Sequence, residues 1–338
     1  MSERKMRSTV IMQTSPSVAS SAAIGGKKEA EGPMGQYFDK INDDPYFSEE
    51  TFEKGESQLQ KQAVEHALRK GSFSPEDIDV LFGGDLLNQC TGTTYGIKSY
   101  EIPFLGIYGA CSTMSEGLLL ASLFVDRNIS KRAMAVTSSH FCTAERQYRM
   151  PLNYGGQRTP TAQWTATASG ALVVTPEDRP PYIRGCTVGK IVDMGVTDAN
   201  NMGAAMAPAA FSTISTFLDE TGMRPEDFDR IVTGDLGAVG SSILCSLFER
   251  EGIDISDRHM DCGKMIYDPD TQDVHAGGSG CGCAGSMLCG YFLPLLRSGE
   301  LHNILFAATG ALLSPTVSQQ GDTIPSISHL VWISHERG

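Results

Sequence analysis

The chain has no run of eighteen or more apolar residues, and its longest, Gly117 to Val125, is far too short to cross a bilayer. Residues 1–30 lack the apolar core of a secretory signal, so any membrane location is expected to come through another protein. Positive charge is scarce: 27 Lys and Arg stand against 40 Asp and Glu, a formal net charge of −13. No basic stripe offsets it, which speaks against nucleic acid and against direct docking on anionic lipid. A disulfide framework is also missing. The nine cysteines are odd in number and irregularly spaced, which fits a reducing compartment. The densest group, Cys262, Cys281, Cys283 and Cys289, lacks the spacing of a zinc ribbon or knuckle. It reads as small apolar side chains in glycine-rich packed segments. No metal and no cofactor are expected.

Glycine, in contrast, is abundant at 36 residues, and it sits beside apolar runs, which implies tight turns and close backbone approaches. Residues 1–35, rich in Ser, Ala, Gly and Lys, read as an extended arm with a short strand near Thr9–Met12. Leu59, Ala63 and Ala67 recur at helical spacing within Glu56–Lys70, and Gly71 is expected to stop that helix. Ser74-Pro75-Glu76-Asp77 has the form of a helix start, followed by a short buried strand, Val80–Phe82.

The same series returns later. Phe211–Glu220 is amphipathic, Gly222 stops it, Pro225-Glu226-Asp227 follows, and Ile231–Thr233 reads as a strand. PEDIDVLFGGDL (75–86) and PEDFDRIVTGDL (225–236) are identical at seven of twelve positions. More weakly, the first half continues through strand 102–108, helix Thr113–Asp126 and strand Ala133–Ser138, and the second through a helix near Ala284–Arg297 and strand Ile304–Ala308. A period this long signals a duplicated half-domain rather than a solenoid. The expected halves are 1–178, including the arm of about 1–35, and 179–338. Helices alternating with short apolar strands predict an α/β protein whose ligand sites lie where strands end and helices begin. That places Asp85, Cys111, Ser138–His140, Asp235 and Gly277–Gly282 in view. Cys111 is the most informative: it ends a strand and opens a helix in a small-residue turn, where the helix N-terminus favours thiolate.

The strand–turn–helix around Cys111, the duplication, AGGSGCGCAGS (276–286) and TAQWTATASGALVV (161–174) resemble the thiolase superfamily. The resemblance implies two βαβαβαββ halves in five α-β-α-β-α layers, with Cys111 at the position of the nucleophile. More closely, GGDLLNQ (83–89), IPFLGIYGACST (102–113), TSSHFCTAERQYR (137–149), TGDLGAVGS (233–241) and ATGALLSP (308–315) are similar to the stage V sporulation family of endospore-forming bacteria. That resemblance implies a non-catalytic protein that binds dipicolinic acid, free or with calcium. It further implies a place beside other stage V membrane proteins at the forespore inner membrane and a role in spore germination. The departures from the enzymes agree with this. Where condensing enzymes carry histidine this chain has Gly234-Asp235, where thiolases carry histidine it has Ser279-Gly280, and the thiolase second cysteine is absent near Ala308-Thr309-Gly310. General acid–base help is worth about a hundred- to ten-thousand-fold. The rival readings are an acyl-thioester enzyme with Cys111 as nucleophile and a purely structural partner that seals a membrane channel.

A flat dicarboxylate wants Arg, protonated His or backbone N–H at a helix start, and calcium wants oxygen ligands. The expected ligand contacts are therefore Cys111 and Ser112 at the helix start, His140, Arg146 and Arg149, with Asp85 fixing a hydrogen bond or a calcium ion and Asp235 on the rim. Each has a second reading. His140 can be a neutral ring satisfied by a backbone carbonyl. Arg146 and Arg149 can pair with Glu145 or surface acids, and Asp85 and Asp235 can cap the turns that follow them. Trp164 reads as core. A homodimer through the central sheets is the oligomer that the superfamily resemblance implies.

Overall fold

The computed structural model describes residues 6–148 and 158–338. In the first half the main strands are β1 (Ser17–Gly26), β2 (Val80–Gly84), β3 (Phe104–Gly106), β4 (Ala133–Ser139) and β5 (Ala168–Thr175). In the second they are β6 (Tyr182–Thr187), β7 (Arg230–Thr233), β8 (His259–Asp261), β9 (Asn303–Ala311) and β10 (Ser326–Ser334). The first set pairs in the order β3-β2-β4-β5-β1, with β3, β2 and β4 parallel and β5 antiparallel to both neighbours. The second pairs as β8-β7-β9-β10-β6 with the same directions. The duplication read from a twelve-residue match thus extends to the whole strand order. One pair, Ser17 opposite Tyr182, joins the two sheets.

Period-two alternation explains the layering. Leu81, Ile231 and Leu305 face outward clusters, while their neighbours Phe82, Val232 and Phe306 face one shared inner core. Helix α1 (Phe52–Gly71) covers the outer face of the first sheet. Helix α3 (Phe141–Tyr148) follows β4, and helix α4 (Met202–Thr221), with α5 (Gly237–Arg250) beside it, covers the outer face of the second. Between the sheets lie α2 (Thr113–Asp126), which packs on strands of both, and α6 (Cys281–Met287), which runs through a π turn, Leu288–Phe292, into Leu293–Ser298. A helix sandwiched between sheets must be apolar around most of its girth, and α2 buries Met114, Leu118, Leu119, Ala121 and Val125. α6 seats directly on β5: a β-carbon at Gly170 would lie 2.2 Å from the Gly285 carbonyl oxygen. The result is the five-layer α-β-α-β-α arrangement. No helix among the described residues is long and apolar enough to cross a membrane.

Four local expectations are corrected. The arm of residues 1–35 contains β1, a ten-residue strand buried along its whole length, although a strand does form at Thr9–Ile11. Helix α1 ends on Ser72, which takes the left-handed conformation (φ +57°), one residue beyond Gly71, whereas Gly222 does cap α4 in that conformation. The Pro-Glu-Asp segments at 75–77 and 225–227 make single 3₁₀ turns, closed by Asp77 and Asp227 accepting from the backbone N–H of residues 74 and 224. Trp164 is half-buried rather than core, stacked on Phe141 at 3.7 Å between centroids with Lys28 Nζ over its ring.

Candidate functional site

The chain leaves β3 and enters α2 through a 3₁₀ turn, Ala110–Ser112, that carries Cys111. Side-chain hydroxyls hold the turn: Ser112 Oγ donates to the Gly109 carbonyl (2.7 Å) and Thr113 Oγ1 to that of Ala110 (2.7 Å). Ala110 is left-handed at φ +48°, uncommon for a residue with a β-carbon. The second half presses on this turn from above, since a β-carbon at Gly310 of β9 would meet the Gly109 carbonyl at 2.0 Å. Cys111 therefore sits where the halves meet.

Three segments of the second half converge on it. Asp235, at the end of β7, is fully buried. Its Oδ2 accepts from Gly280 N (2.8 Å) and Ser279 Oγ (3.1 Å). Its buried Oδ1 has no hydrogen-bond partner, and the Cys111 thiol lies beside the carboxyl. Burial, partly offset by the thiol and Gly280 N–H, pushes the Asp235 carboxyl up to about 7. Burial, then the charge of Asp235, raises the Cys111 thiol well above its ordinary range. The expectation that the helix start favours thiolate is thereby overturned: desolvation and a neighbouring carboxyl outweigh it. The neighbouring Cys281 thiol is also raised by burial and donates to the Ser138 carbonyl (2.9 Å).

Above Cys111 opens a narrow cavity of about 60 Å³, partly open to solvent. Leu86, Ala144 and Tyr148 wall one side, and Met202, Met206 and Leu313 the other. Cys111, Gln163, Thr165 and Ser279 supply polar groups, Glu145 stands among the lining residues, and the described lining contains no Lys, Arg or His. Gln163 is locked: its Nε2 donates to the carbonyls of Asp235 (2.8 Å) and Gly278 (2.7 Å), and its buried Oε1 has no partner.

Of the expected contacts, Cys111 and Asp235 are brought together, though Asp235 lies behind the cavity and reaches it only through Cys111 and Ser279. The others serve the scaffold. Asp85 accepts from Leu87 N (2.9 Å), Thr93 N (2.7 Å) and Thr93 Oγ1 (2.7 Å), so it caps its own loop and has no oxygen free for calcium. Ser112 is spent on its turn. His140 Nε2 donates to the Pro45 carbonyl (2.7 Å) and its Nδ1 accepts from Cys142 N (3.1 Å), a neutral ring held down by burial and outside the cavity lining. Arg146 pairs with Glu53 (3.2 Å) at the surface. Arg149 lies outside the described residues. Sequence reasoning missed Gln163, Tyr148 and the two methionines of α4. The segment that holds Gln163, TAQWTATASGALVV, carries the superfamily resemblance, but nothing in it marks the glutamine as a cavity group.

A duplicated five-strand order, a shared inner helical layer and a cysteine at the start of its helix define a thiolase-like fold. Two solved structures have it as well. One is 3-oxoacyl-[acyl-carrier-protein] synthase III from Aquifex aeolicus (13% identity, 94% of this chain and 99% of that one, TM-score 0.57). The other is cerulenin-bound OleA from Xanthomonas campestris (14% identity, 96% and 98%, TM-score 0.59). Within that class the chain belongs to the Stage V sporulation protein AD family, whose model matches residues 6–334. It is 45% identical over 312 residues to Stage V sporulation protein AD of Bacillus subtilis, covering 92% of each chain.

Proposed function

We propose that this sporulation protein binds dipicolinic acid, free or as its calcium chelate, in the cavity above Cys111, without catalysis, and supports its uptake into the developing spore. The observation that carries this reading is a retained cavity whose cysteine is held as a thiol. No described residue within hydrogen-bond reach of Cys111 is a histidine, and a buried carboxyl beside a thiol works against thiolate. An acyl-transfer nucleophile needs a base, and with another thiol, Cys281, as the other neighbour, the rival enzymatic reading would have to use Asp235 for it. In this reading the protein stands on the forespore inner membrane through other stage V membrane proteins and acts again when the spore germinates.

Calorimetric titration of the full chain with dipicolinic acid, with and without calcium, tests this. Binding by the parent and at least tenfold weakening in Cys111→Trp, which fills the cavity, supports it. No heat from the folded parent under either condition overturns it, and so does transfer of an acyl group from acyl-coenzyme A to Cys111 with turnover.

A further inference from the structure

The cavity floor is short of hydrogen-bond donors for an anion. Gln163 offers only its oxygen, because both amide hydrogens are committed to backbone carbonyls. Tyr148 commits its hydroxyl hydrogen to the Leu86 carbonyl (2.6 Å). The donors left are the Ser279 hydroxyl, which is turned toward Asp235, the Cys111 thiol beside that carboxyl and the Thr165 hydroxyl of the lining. A carboxylate can only accept; a carboxylic acid also donates. A proton on Asp235 reverses this arrangement: the acid donates to Ser279 Oγ or to the thiol sulfur, and the released O–H or S–H can point into the cavity.

We infer that Asp235 is a positioning residue that turns the floor donors toward the ligand when it carries a proton, so that binding of a dicarboxylate takes up one proton. This rests on the dicarboxylate reading above. The surroundings fit. The titratable groups facing Asp235 are the thiols of Cys111, Cys281, Cys262 and Cys283 and the carboxyl of Asp261, with Glu145 on the cavity wall and no described cation among them. Nothing there holds Asp235 ionised except Gly280 N–H, Ser279 and the thiol, and its pKa of about 7 leaves the proton available near neutrality. A dianionic ligand brought above it raises that value further.

Calorimetry at pH 6, 7 and 8, in pairs of buffers that differ in ionisation heat, counts the protons. The parent is expected to take up close to one proton at pH 8 and to bind about tenfold more weakly there than at pH 6, the limit for one group titrating near 7. In Asp235→Asn the amide N–H stands in for the acid, so binding should persist, lose its pH dependence and exchange no proton. Ser279→Ala, which removes the hydroxyl that is turned, should weaken binding at pH 6 and flatten the profile. Parent binding that is independent of pH, or an Asp235→Asn profile like the parent's, overturns the inference while leaving the dicarboxylate reading intact. Absence of binding at every pH overturns both.

Discussion

Asp85 and Asp235 occupy the same place in the two halves, yet they do different work. Asp85 satisfies its own loop with three accepted hydrogen bonds. In the second half that task has passed to Asp261, which accepts from Leu236 N (2.8 Å), Gly237 N (2.9 Å), Lys264 N (3.1 Å) and Thr233 Oγ1 (2.6 Å). Strand register puts Asp261 opposite Thr233, and the equivalent place in the first half, opposite Gly83, is Gly106. A carboxylate on the neighbouring strand thus relieves Asp235 of capping and leaves it to face Cys111. Identity of sequence between repeats marks common ancestry of position, and the hydrogen-bond partners decide the role.

The comparison can be broken most strongly at the caps. Asp85→Ala leaves two buried backbone N–H groups unpaired and should cost about 3 kcal/mol. Asp261→Ala should cost as much, whereas Asp235→Asn should stay within about 1 kcal/mol of the parent. Urea unfolding of the three variants measures this, and an equal loss in all three would show that the halves have not diverged.

Acid titration sharpens the contrast next. Glu56 is buried beside Asp85, accepts from Ser138 Oγ (3.1 Å) and Thr143 Oγ1 (2.6 Å), and is raised to about 8 by burial and then by the charge of Asp85. Asp235 is raised to about 7. A carboxyl with a raised folded-state pKa contributes stability in full below its unfolded value, near 4, and loses it as pH rises through the folded value. Unfolding free energy should therefore fall from about pH 4 to about pH 8, by at most about 1.4 kcal/mol per pH unit for each group. Glu56→Gln should remove the fall between about pH 7 and about pH 8, and either Glu56→Gln or Asp235→Asn should about halve the slope below about pH 7.

Thiol chemistry gives a smaller effect. Without the carboxylate, the Cys111 thiol in Asp235→Asn should ionise at lower pH, and its alkylation by iodoacetamide at pH 8 should quicken several-fold, with Cys281 as the buried internal control. The smallest change is expected at Arg146. Its bridge to Glu53 is between half-exposed side chains, so Arg146→Ala should alter stability by less than about 0.5 kcal/mol and leave ligand binding as it was.

Much of this was legible in the chain. The Pro-Glu-Asp repeat led to the correct two-half architecture, and the small-residue turn before an apolar helix singled out Cys111. β1 was hidden because SVASSAAIGG has no alternation, no aromatic residue and only two β-branched ones, Val18 and Ile24. Its small side chains answer to a crowded setting: a β-carbon at Gly25 would strike the Phe38 ring at 2.8 Å, and Ser21 Oγ donates to the Cys289 carbonyl 268 residues away. His140 and Arg146 were misplaced for a similar reason. Their partners, Pro45 and Glu53, are about ninety residues distant, and local spacing carries no trace of them.

Helix α2, wedged between two sheets, also governs traffic. It cannot slide or tilt without dragging strands on both sides, so the bottom of the cavity is fixed masonry. On the proposed reading, exchange of a bound molecule must then be timed by the outer lining, where half-buried Met202 can swing on single-bond rotations while Met206 is fully buried and Tyr148 is held by its bond to the Leu86 carbonyl. On that reading affinity is set by the immobile middle layer, and the rate of loading and release by the side chains around the mouth.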